Sequence, residues 1–273
     1  MKKDFLKMHG LGNDFAVFDA RGESLNFTAP QIRAMADRCT GIGFDQLAIL
    51  YPPENGQGDV FMNIFNASGE EVEACGNMTR CVATLLFVET GKDAVGVATV
   101  AGILQAKKVG DLVSVDMGPP RLGWDEIPLA EACDTENIDL DVAGLSSPCA
   151  VNTGNPHAVF FVEDAETVDL PKIGPMVEHH PLFPRRVNVE VATVKGPNSI
   201  RMRVWERGTG ITRACGTAAC ATAVAAIRRG LTGRKVTVHL DGGDLDIEWR
   251  ESDGHMVMTG PATLVYRGEI EID

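Results

Sequence analysis

The chain has 273 residues, of which 44% are hydrophobic and 23% are charged, a composition typical of a folded globular protein rather than a disordered one. Twenty-five basic residues against 38 acidic ones give a net charge of −13, which argues against a nucleic-acid partner. No apolar stretch approaches the about 20 residues of a membrane helix or resembles a secretion signal, so we expect neither a membrane partner nor export.

Short stretches of β-branched or alternating residues in the first half of the chain predict strands. They span residues 15–19, 47–51, 60–66, 95–100 and 112–116. Strands interrupted by only a few helical segments favour an α+β fold.

Two helices are predicted between these strands. The first spans residues 29–39, with Thr28 as its N-cap, Pro30 in its first turn and Gly41 beyond its end. The second spans residues 78–90, stops at Gly91 and carries a broad apolar surface. The members of that surface are Val82, Leu85, Leu86 and Val88. The second half repeats this plan, with helices predicted at residues 169–179 and 217–229.

An internal repeat relates the two halves. Ala-Cys-Gly at residues 74–76 matches Ala-Cys-Gly at residues 214–216, an offset of 140, and residues 60–66 resemble residues 200–206 at the same offset. Further matches keep the same order at offsets of 141 or 142: 12–18 with 154–160, 30–35 with 171–176, and 116–119 with 258–261. We expect two folding units, at about residues 1–118 and 119–262, each a β-sheet wrapped around a central helix.

The seven cysteines are irregularly spaced, as expected of reduced thiols in a cytoplasmic protein. The spacings of Cys75 to Cys81 and of Cys215 to Cys220 do not fit a zinc site, so we expect no metal. A single cysteine is most often a small buried hydrophobic residue. This interpretation applies to the cysteines without a counterpart in the repeat, namely Cys39, Cys81, Cys133, Cys149 and Cys220.

Each half places a cysteine just before a predicted helix and a glycine directly after it: Cys75 with Gly76, and Cys215 with Gly216. The unpaired N–H groups of a helix start bind a carboxylate and lower the pKa of a thiol from about 8.5. If the halves face each other, the two thiols approach one carbon from opposite sides. One thiolate could then remove a proton while the other thiol delivers one. A redox pair is the alternative.

Other polar residues have ordinary structural explanations when taken alone. His157 would be a structural histidine, Glu206 and Arg207 a surface ion pair, and the asparagines turn residues. These asparagines are Asn13, Asn66, Asn155 and Asn188.

Taken together, the motifs closely resemble those of the diaminopimelate epimerase family, from residue 5 to residue 270. The motifs are His9-Gly-Leu-Gly-Asn13-Asp-Phe15, Ala74-Cys-Gly-Asn-x-x-Arg80-Cys81, Gly154-Asn-Pro-His157, Val187-Asn188-Val189, Glu206-Arg-Gly-x-Gly210 and Ala214-Cys-Gly-Thr217. The resemblance implies cofactor-independent conversion of LL-2,6-diaminopimelate to the meso isomer, in lysine and peptidoglycan precursor synthesis. It also implies an active site in the cleft between the two domains, with residues 263–273 returning to the first domain, and a homodimer with Tyr266 at the contact.

The resemblance assigns roles by position. Cys75 and Cys215 would be the acid/base thiols, the first paired with His157 and the second with Glu206. The substrate, a small amino acid, would be held by further residues. These are Asn13, Gln46, Asn66, Gly76, Asn77, Asn155, Asn188, Glu206, Arg207, Gly216 and Thr217.

Two other functions stay open at this stage. A two-cysteine racemase could act on histidine, proline or hydroxyproline, although Asn77 counts against the proline type, and Met78 stands where the family commonly has glycine. A non-catalytic amino-acid-binding or redox module could use the same cleft. We expect no pyridoxal or other cofactor in any of these cases.

Overall fold

The computed structural model describes residues 2–53 and 56–272. The chain forms two compact units, one containing the residues up to Val115 together with those from Gly260 onward, the other Asp116–Thr259. The repeat indicates domain boundaries after residues 118 and 262, and these boundaries stay a prediction. The first and last residues of the predicted domains, Met1 and Asp273, lie outside the described residues.

The first unit is built mainly of strands. They are β1 (Lys2–Gly10), β2 (Asn13–Asp19), β3 (Gln46–Tyr51), β4 (Val60–Asn66), β5 (Glu71–Val72), β6 (Ala94–Thr99), β7 (Gly102–Val109), β8 (Leu112–Asp116) and, from the end of the chain, β19 (Thr263–Glu271). β1 pairs antiparallel with both β2 and β19. β2 is parallel to β3, β3 antiparallel to β4, β4 parallel to β6, and β6, β7 and β8 are successively antiparallel.

Two helices pack against this sheet. Helix α1 (Ala29–Ala36) begins with a capping box between Thr28 and Gln31, as the sequence predicts for Thr28, but it ends three residues before the predicted end. The reason lies in Asp37, whose carboxylate accepts hydrogen bonds from the N–H groups of Cys39 and Thr40. These bonds offer the backbone a turn in place of another helical residue.

Helix α2 (Gly76–Thr90) contacts β1, β6 and β7, so it lies centrally against the sheet of its unit. Its C-terminus is closed by Gly91 at φ 70°, a left-handed conformation that glycine adopts without strain. Val82 and Leu86 are buried as predicted, but Val88 is 85% exposed. The apolar surface is therefore narrower than predicted, because Val88 lies on the opposite side of the helix.

The second unit repeats the architecture. Its strands are β9 (Asp141–Val142), β10 (Leu145–Ser146), β11 (Cys149–Asn152), β12 (Pro156–Phe161), β13 (Asn188–Gly196), β14 (Ser199–Glu206), β15 (Gly210–Ile211), β16 (Lys235–Leu240), β17 (Gly243–Trp249) and β18 (Met256–Gly260). The pairings from β11 to β18 follow the same succession of antiparallel and parallel neighbours as those from β1 to β8. The internal repeat is thus a repeat of topology.

Helices α3 (Leu170–Glu178) and α4 (Gly216–Arg228) occupy the positions of α1 and α2 in this repeat, and a short 3-10 turn spans Ala165–Thr167. The alanine-rich α4 contacts strands on several sides and is buried along most of its length, as its composition predicts. None of the helices in the described residues is long and apolar enough to span a membrane.

Candidate active site

Cys75 is the N-cap residue of α2, with extended backbone angles (φ −146°, ψ 109°), and Gly76 and Asn77 form the first turn. Its carbonyl accepts the first helical hydrogen bond, from the N–H of Thr79 at 2.9 Å. The thiol is partly buried. Cys75 therefore lies where the N–H groups of a helix start are available to bind an anion.

Amide side chains predicted to hold the substrate are linked to each other in this unit. Asn77 donates from Nδ2 to Oδ1 of Asn13 at 3.1 Å, and Asn13 donates to Asp45 at 2.9 Å. Gln46 donates to Asn66 at 3.1 Å across the β3–β4 pair. The first turn of α2 is thus connected to the start of β2, which holds Asn13 and Asn77 in fixed orientations.

An ionic network next to Asn13 was not predicted from the sequence. Arg38 donates to Asp14 at 2.7 Å and 3.0 Å and to Asp45 at 2.7 Å, and Lys7 also pairs with Asp14. Burial alone would raise the pKa of Asp14, but the hydrogen bonds from Arg38 and Lys7 outweigh it and lower the pKa to about 2. Asp14 is therefore a charged anchor beside the amide chain.

Cys215 is the N-cap residue of α4 (φ −130°, ψ 115°) and is only 6% exposed. Its Sγ lies 3.4 Å from Oγ1 of Thr217, whose carbonyl accepts a hydrogen bond from Thr153 at 3.1 Å. Cys215 thus matches Cys75 in its position in the helix, but it is more buried.

The pKa of Cys215 is shifted in the direction opposite to the one that a helix start predicts. Burial raises it well above 9.0 and the negative charge of Glu206 raises it further, whereas hydrogen bonds with Thr217 and the N–H of Ala218 lower it by less. The prediction that a helix start lowers the thiol pKa is therefore wrong for Cys215. Desolvation and a neighbouring carboxylate outweigh the effect of the helix N–H groups. The structure does bring Glu206 close to Cys215, and Thr212 donates a hydrogen bond to Glu206.

The turn after β14 holds Glu206 and Arg207. Asn188 accepts a hydrogen bond from the backbone N–H of Arg207 at 2.9 Å and donates to the carbonyl of Pro156 at 2.8 Å. The buried carboxylate of Glu178 accepts from the N–H of Gly208 at 2.9 Å. Asn188 therefore links the turn after β14 to the start of β12.

His157 is completely buried, between two oxygen atoms. Its Nδ1 lies 2.7 Å from Oε1 of Glu190, and its Nε2 lies 2.8 Å from Oδ1 of Asn155. Two predicted residues, His157 and Asn155, are thus in contact, and both lie in the second unit together with Cys215, Glu206 and Arg207.

Tyr266 lies on β19 and is 44% exposed, with its ring in edge contact with Phe5 at 5.9 Å. Leu264 and Val265 beside it are also exposed. β19 therefore carries three adjacent exposed apolar side chains.

One cluster in the described residues could offer three metal ligands, Asp116, Asp253 and His255. Arg250 donates to Asp116 and to Asp253, in each case at 2.6 Å, and His255 lies 2.8 Å from Asp116. The guanidinium already balances the two carboxylates, so this cluster is an ion-pair network.

Sequence reasoning missed Glu190, Glu178 and the Asp14 network. The signal for Glu190 was present, because a glutamate two residues after Asn188 in an otherwise apolar strand lies on the same face as Asn188. Asp14 directly follows Asn13, so Asp14 lies within the same motif, residues 9–15.

The family profile described as diaminopimelate epimerase matches residues 5–123 and 149–265. A diaminopimelate epimerase of Rhodospirillum centenum is 55% identical over 271 residues, covering 99% of this chain and 93% of the relative. A diaminopimelate epimerase of Phenylobacterium zucineum is 54% identical over 275 residues, covering 99% of this chain and 98% of the relative.

Solved structures share the fold at low sequence identity. A PhzF-family phenazine biosynthesis protein of Bacillus anthracis has a TM-score of 0.71 at 17% identity, covering 100% of both chains. A hydroxyproline epimerase of Agrobacterium vitis has a TM-score of 0.71 at 15% identity, covering 98% of this chain and 91% of the other. These similarities confirm the predicted α+β fold. The profile match and the relatives go further: the chain belongs to the diaminopimelate epimerase family of isomerases.

Proposed function

We propose that the protein converts LL-2,6-diaminopimelate to meso-diaminopimelate without a cofactor, by moving protons between two cysteine side chains and one α-carbon. The observation that carries the proposal is the matched position of Cys75 and Cys215, each the N-cap of the corresponding helix in one repeat. Family membership supports the choice of substrate.

In the resting protein, Cys215 holds its proton and Cys75 is the thiolate. The raised pKa of Cys215, which burial and Glu206 produce, supports this assignment of the proton to Cys215. The Cys75 thiolate removes the α-proton, and the electron pair of the C–H bond stays on the substrate as a carbanion. Cys215 then donates its proton to the opposite face, so one conversion ends with a thiol at Cys75 and a thiolate at Cys215, and proton exchange with solvent restores the resting state.

A high thiol pKa suits this chemistry. An α-proton is very weakly acidic, so the driving force for removing it grows with the pKa of the thiol that accepts it. The thiolate of Cys215 is for the same reason a strong base in the reverse reaction. The N–H groups at the starts of α2 and α4 would stabilise the negative carboxylate of the carbanion; Gly76, Asn77, Gly216 and Thr217 supply them in this proposal.

The remaining predicted residues would hold the rest of the substrate. Arg207 can bind a carboxylate through two parallel hydrogen bonds. Amide side chains both donate and accept, so they can bind a carboxylate or an ammonium group. His157 would act with Cys75, and Glu206 with Cys215.

We further propose that the protein acts in the cytoplasm, where thiols stay reduced, in lysine and peptidoglycan precursor synthesis.

We propose a homodimer with β19 at the contact, supported by the exposure of Leu264, Val265 and Tyr266. Sedimentation of the wild type should give about twice the 29.3 kDa chain mass. A Tyr266→Glu variant should sediment as a monomer, and an unchanged mass would contradict the contact.

The test of function is exchange of the α-proton of LL-diaminopimelate with deuterated solvent, followed by NMR. Exchange and meso product should appear with the wild type, and turnover should be lost in Cys75→Ala and in Cys215→Ala. Cys220→Ala is the matched control, because Cys220 is also buried in α4 and should keep turnover.

The same assay separates the other functions. Exchange with histidine, proline or 4-hydroxyproline but none with diaminopimelate would indicate a racemase of another substrate. Binding without exchange that survives both cysteine substitutions would indicate a non-catalytic module.

A further inference from the structure

A buried carboxyl group lies directly behind His157. The side chains of His157 and Glu190 are both 0% exposed, and Nδ1 of the ring lies 2.7 Å from Oε1 of the glutamate. On the other side of the ring, Nε2 faces Oδ1 of Asn155 at 2.8 Å. The imidazole is therefore fixed at both nitrogens.

The two residues of this pair lie on adjacent buried strands rather than on loops. β12 and β13 run parallel, with His157 opposite Asn188 and Val159 opposite Glu190. Asn188 and Glu190 are two residues apart and lie on one face of β13. A ring held between rigid strands has little freedom to rotate, and a carboxylate on Nδ1 determines which nitrogen carries the proton.

The cost of this carboxyl group argues against a purely structural role. Oε2 of Glu190 is buried without a hydrogen-bond partner in the described part of the chain. Burial raises the pKa of Glu190, His157 lowers it, and the charge of Glu206 raises it again. Cys215 is also within the electrostatic influence of Glu190. Glu190 therefore contacts His157 and lies within electrostatic range of Glu206 and Cys215.

We propose that Glu190 is a positioning residue, which accepts a hydrogen bond from Nδ1 of His157 and so fixes the orientation of the ring beside Asn155. The inference rests on the proposed function, in which His157 acts with Cys75 and Asn155 holds the substrate. Loss of the Glu190 carboxylate would release the ring into a mixture of tautomers and orientations, although no group that touches the substrate would have changed.

The variants that test the proposal are Glu190→Gln, which keeps the shape, and Glu190→Asp, which keeps the charge. Asp244→Asn is the matched control, because Asp244 pairs with Nδ1 of His239 at the same 2.7 Å but at an exposed position. We expect Glu190→Gln to lower kcat by about ten- to a hundred-fold, the range seen when a metal-binding histidine loses the partner that orients it. KM for LL-diaminopimelate should change less than kcat, and Asp244→Asn should keep both.

The decisive readout is the ¹⁵N NMR spectrum of the histidine rings, which does not depend on turnover. In the wild type, His157 should show a protonated Nδ1, and Glu190→Gln should change that signal while Glu190→Asp retains it. A wild-type Nδ1 without a proton would overturn the proposal, even if every variant failed to fold. A Glu190→Gln variant with a lower kcat but an unchanged ring signal would also overturn the proposal. A Glu190→Gln variant with an unchanged kcat would overturn it as well. If the wild type fails to exchange the α-proton of LL-diaminopimelate, the proposed function fails, whereas the ring spectrum still tests the Glu190–His157 pair.

Discussion

The carboxylate of Glu206 raises the pKa of the Cys215 thiol, adding to the larger effect of burial. Both residues lie in the second unit, one at the end of β14 and the other at the start of α4. A negative charge beside a thiol disfavours the thiolate. Glu206 thus adds to burial in favouring the protonated form of Cys215.

Replacing Glu206 with glutamine should lower the pKa of Cys215, because the neighbouring negative charge is removed. The proposed reaction needs Cys215 protonated, so the alkaline limb of the kcat/KM–pH profile should move to lower pH. Burial still keeps Cys215 protonated near neutral pH, so kcat/KM should change less there than on the alkaline limb. Glu206→Asp, which keeps the charge, is the control. An alkaline limb that stays in place in Glu206→Gln would contradict the assignment.

Replacing Glu178 with glutamine should loosen the turn that carries Glu206 and Arg207. The buried carboxylate accepts hydrogen bonds from the indole of Trp205 at 2.7 Å and from the N–H of Gly208 at 2.9 Å. An amide has one accepting oxygen, so one buried donor loses its partner, which costs about 1–3 kcal/mol of unfolding free energy.

Urea unfolding measures this loss, and KM for LL-diaminopimelate should rise with it. Glu166→Gln is the control in the same unit. Glu166 also pairs with a basic residue, Arg201, but the side chain of Glu166 is 56% exposed. Exposed ion pairs contribute about 0–1 kcal/mol. Equal losses in the two variants would show that the turn does not depend on Glu178.

The Asp14 network should make the protein sensitive to acid. The pKa of Asp14 is lowered to about 2 from 3.8, so its stabilising effect is fully present above pH 3.8 and is lost as the pH falls to about 2. The shift corresponds to about 2 kcal/mol. Asp14→Asn should therefore unfold at lower urea concentration than the wild type at pH 7, with the difference shrinking below pH 4. Asp253→Asn, at an exposed ion pair, should change less. A difference that does not vary with pH would refute the ionic explanation.

Buried thiols should make the protein sensitive to alkali. Burial raises the pKa of Cys81 to about 12 and that of Cys149 to about 11, against 9.0 for an ordinary thiol. The folded state then keeps protons that the unfolded state releases, so stability is intact below pH 9 and declines as the pH rises toward 11 or 12.

Melting temperatures measured from pH 8 to pH 11 test this expectation. Each such thiol contributes at most about 1.4 kcal/mol per pH unit. Cys149→Ala should reduce the decline, whereas Cys39→Ala, at an exposed position, should not. Identical declines in all three proteins would exclude the buried thiols as the cause.

The repeat made the helices and several strands predictable. Residues 60–66 and 112–116 form strands with the predicted bounds, and α2 begins two residues before the predicted start. Local signals sufficed here, since helix caps and alternating burial act over a few residues. β7 was not predicted because it is mostly exposed, so its sequence lacks an apolar alternation.

The candidate site was less predictable than the fold. Cysteine before glycine at a helix start was visible from spacing, but the environment of each thiol depends on residues distant in the sequence. The raised pKa of Cys215 comes from burial and from Glu206, neither of which a local pattern contains. The bond between His157 and Glu190 joins residues that lie on different strands and are 33 positions apart along the chain.

The pairing of β1 with β19 has a consequence for how the molecule is made. Lys2 pairs with Glu271, so β1 can pair with β2 early in synthesis but pairs with β19 only after residues 263–271 have been made. Residues 116–259, which are continuous in the sequence, leave the exit tunnel earlier and can fold during synthesis. The nascent protein therefore carries a β-sheet with one edge of β1 unpaired until β19 has been synthesised.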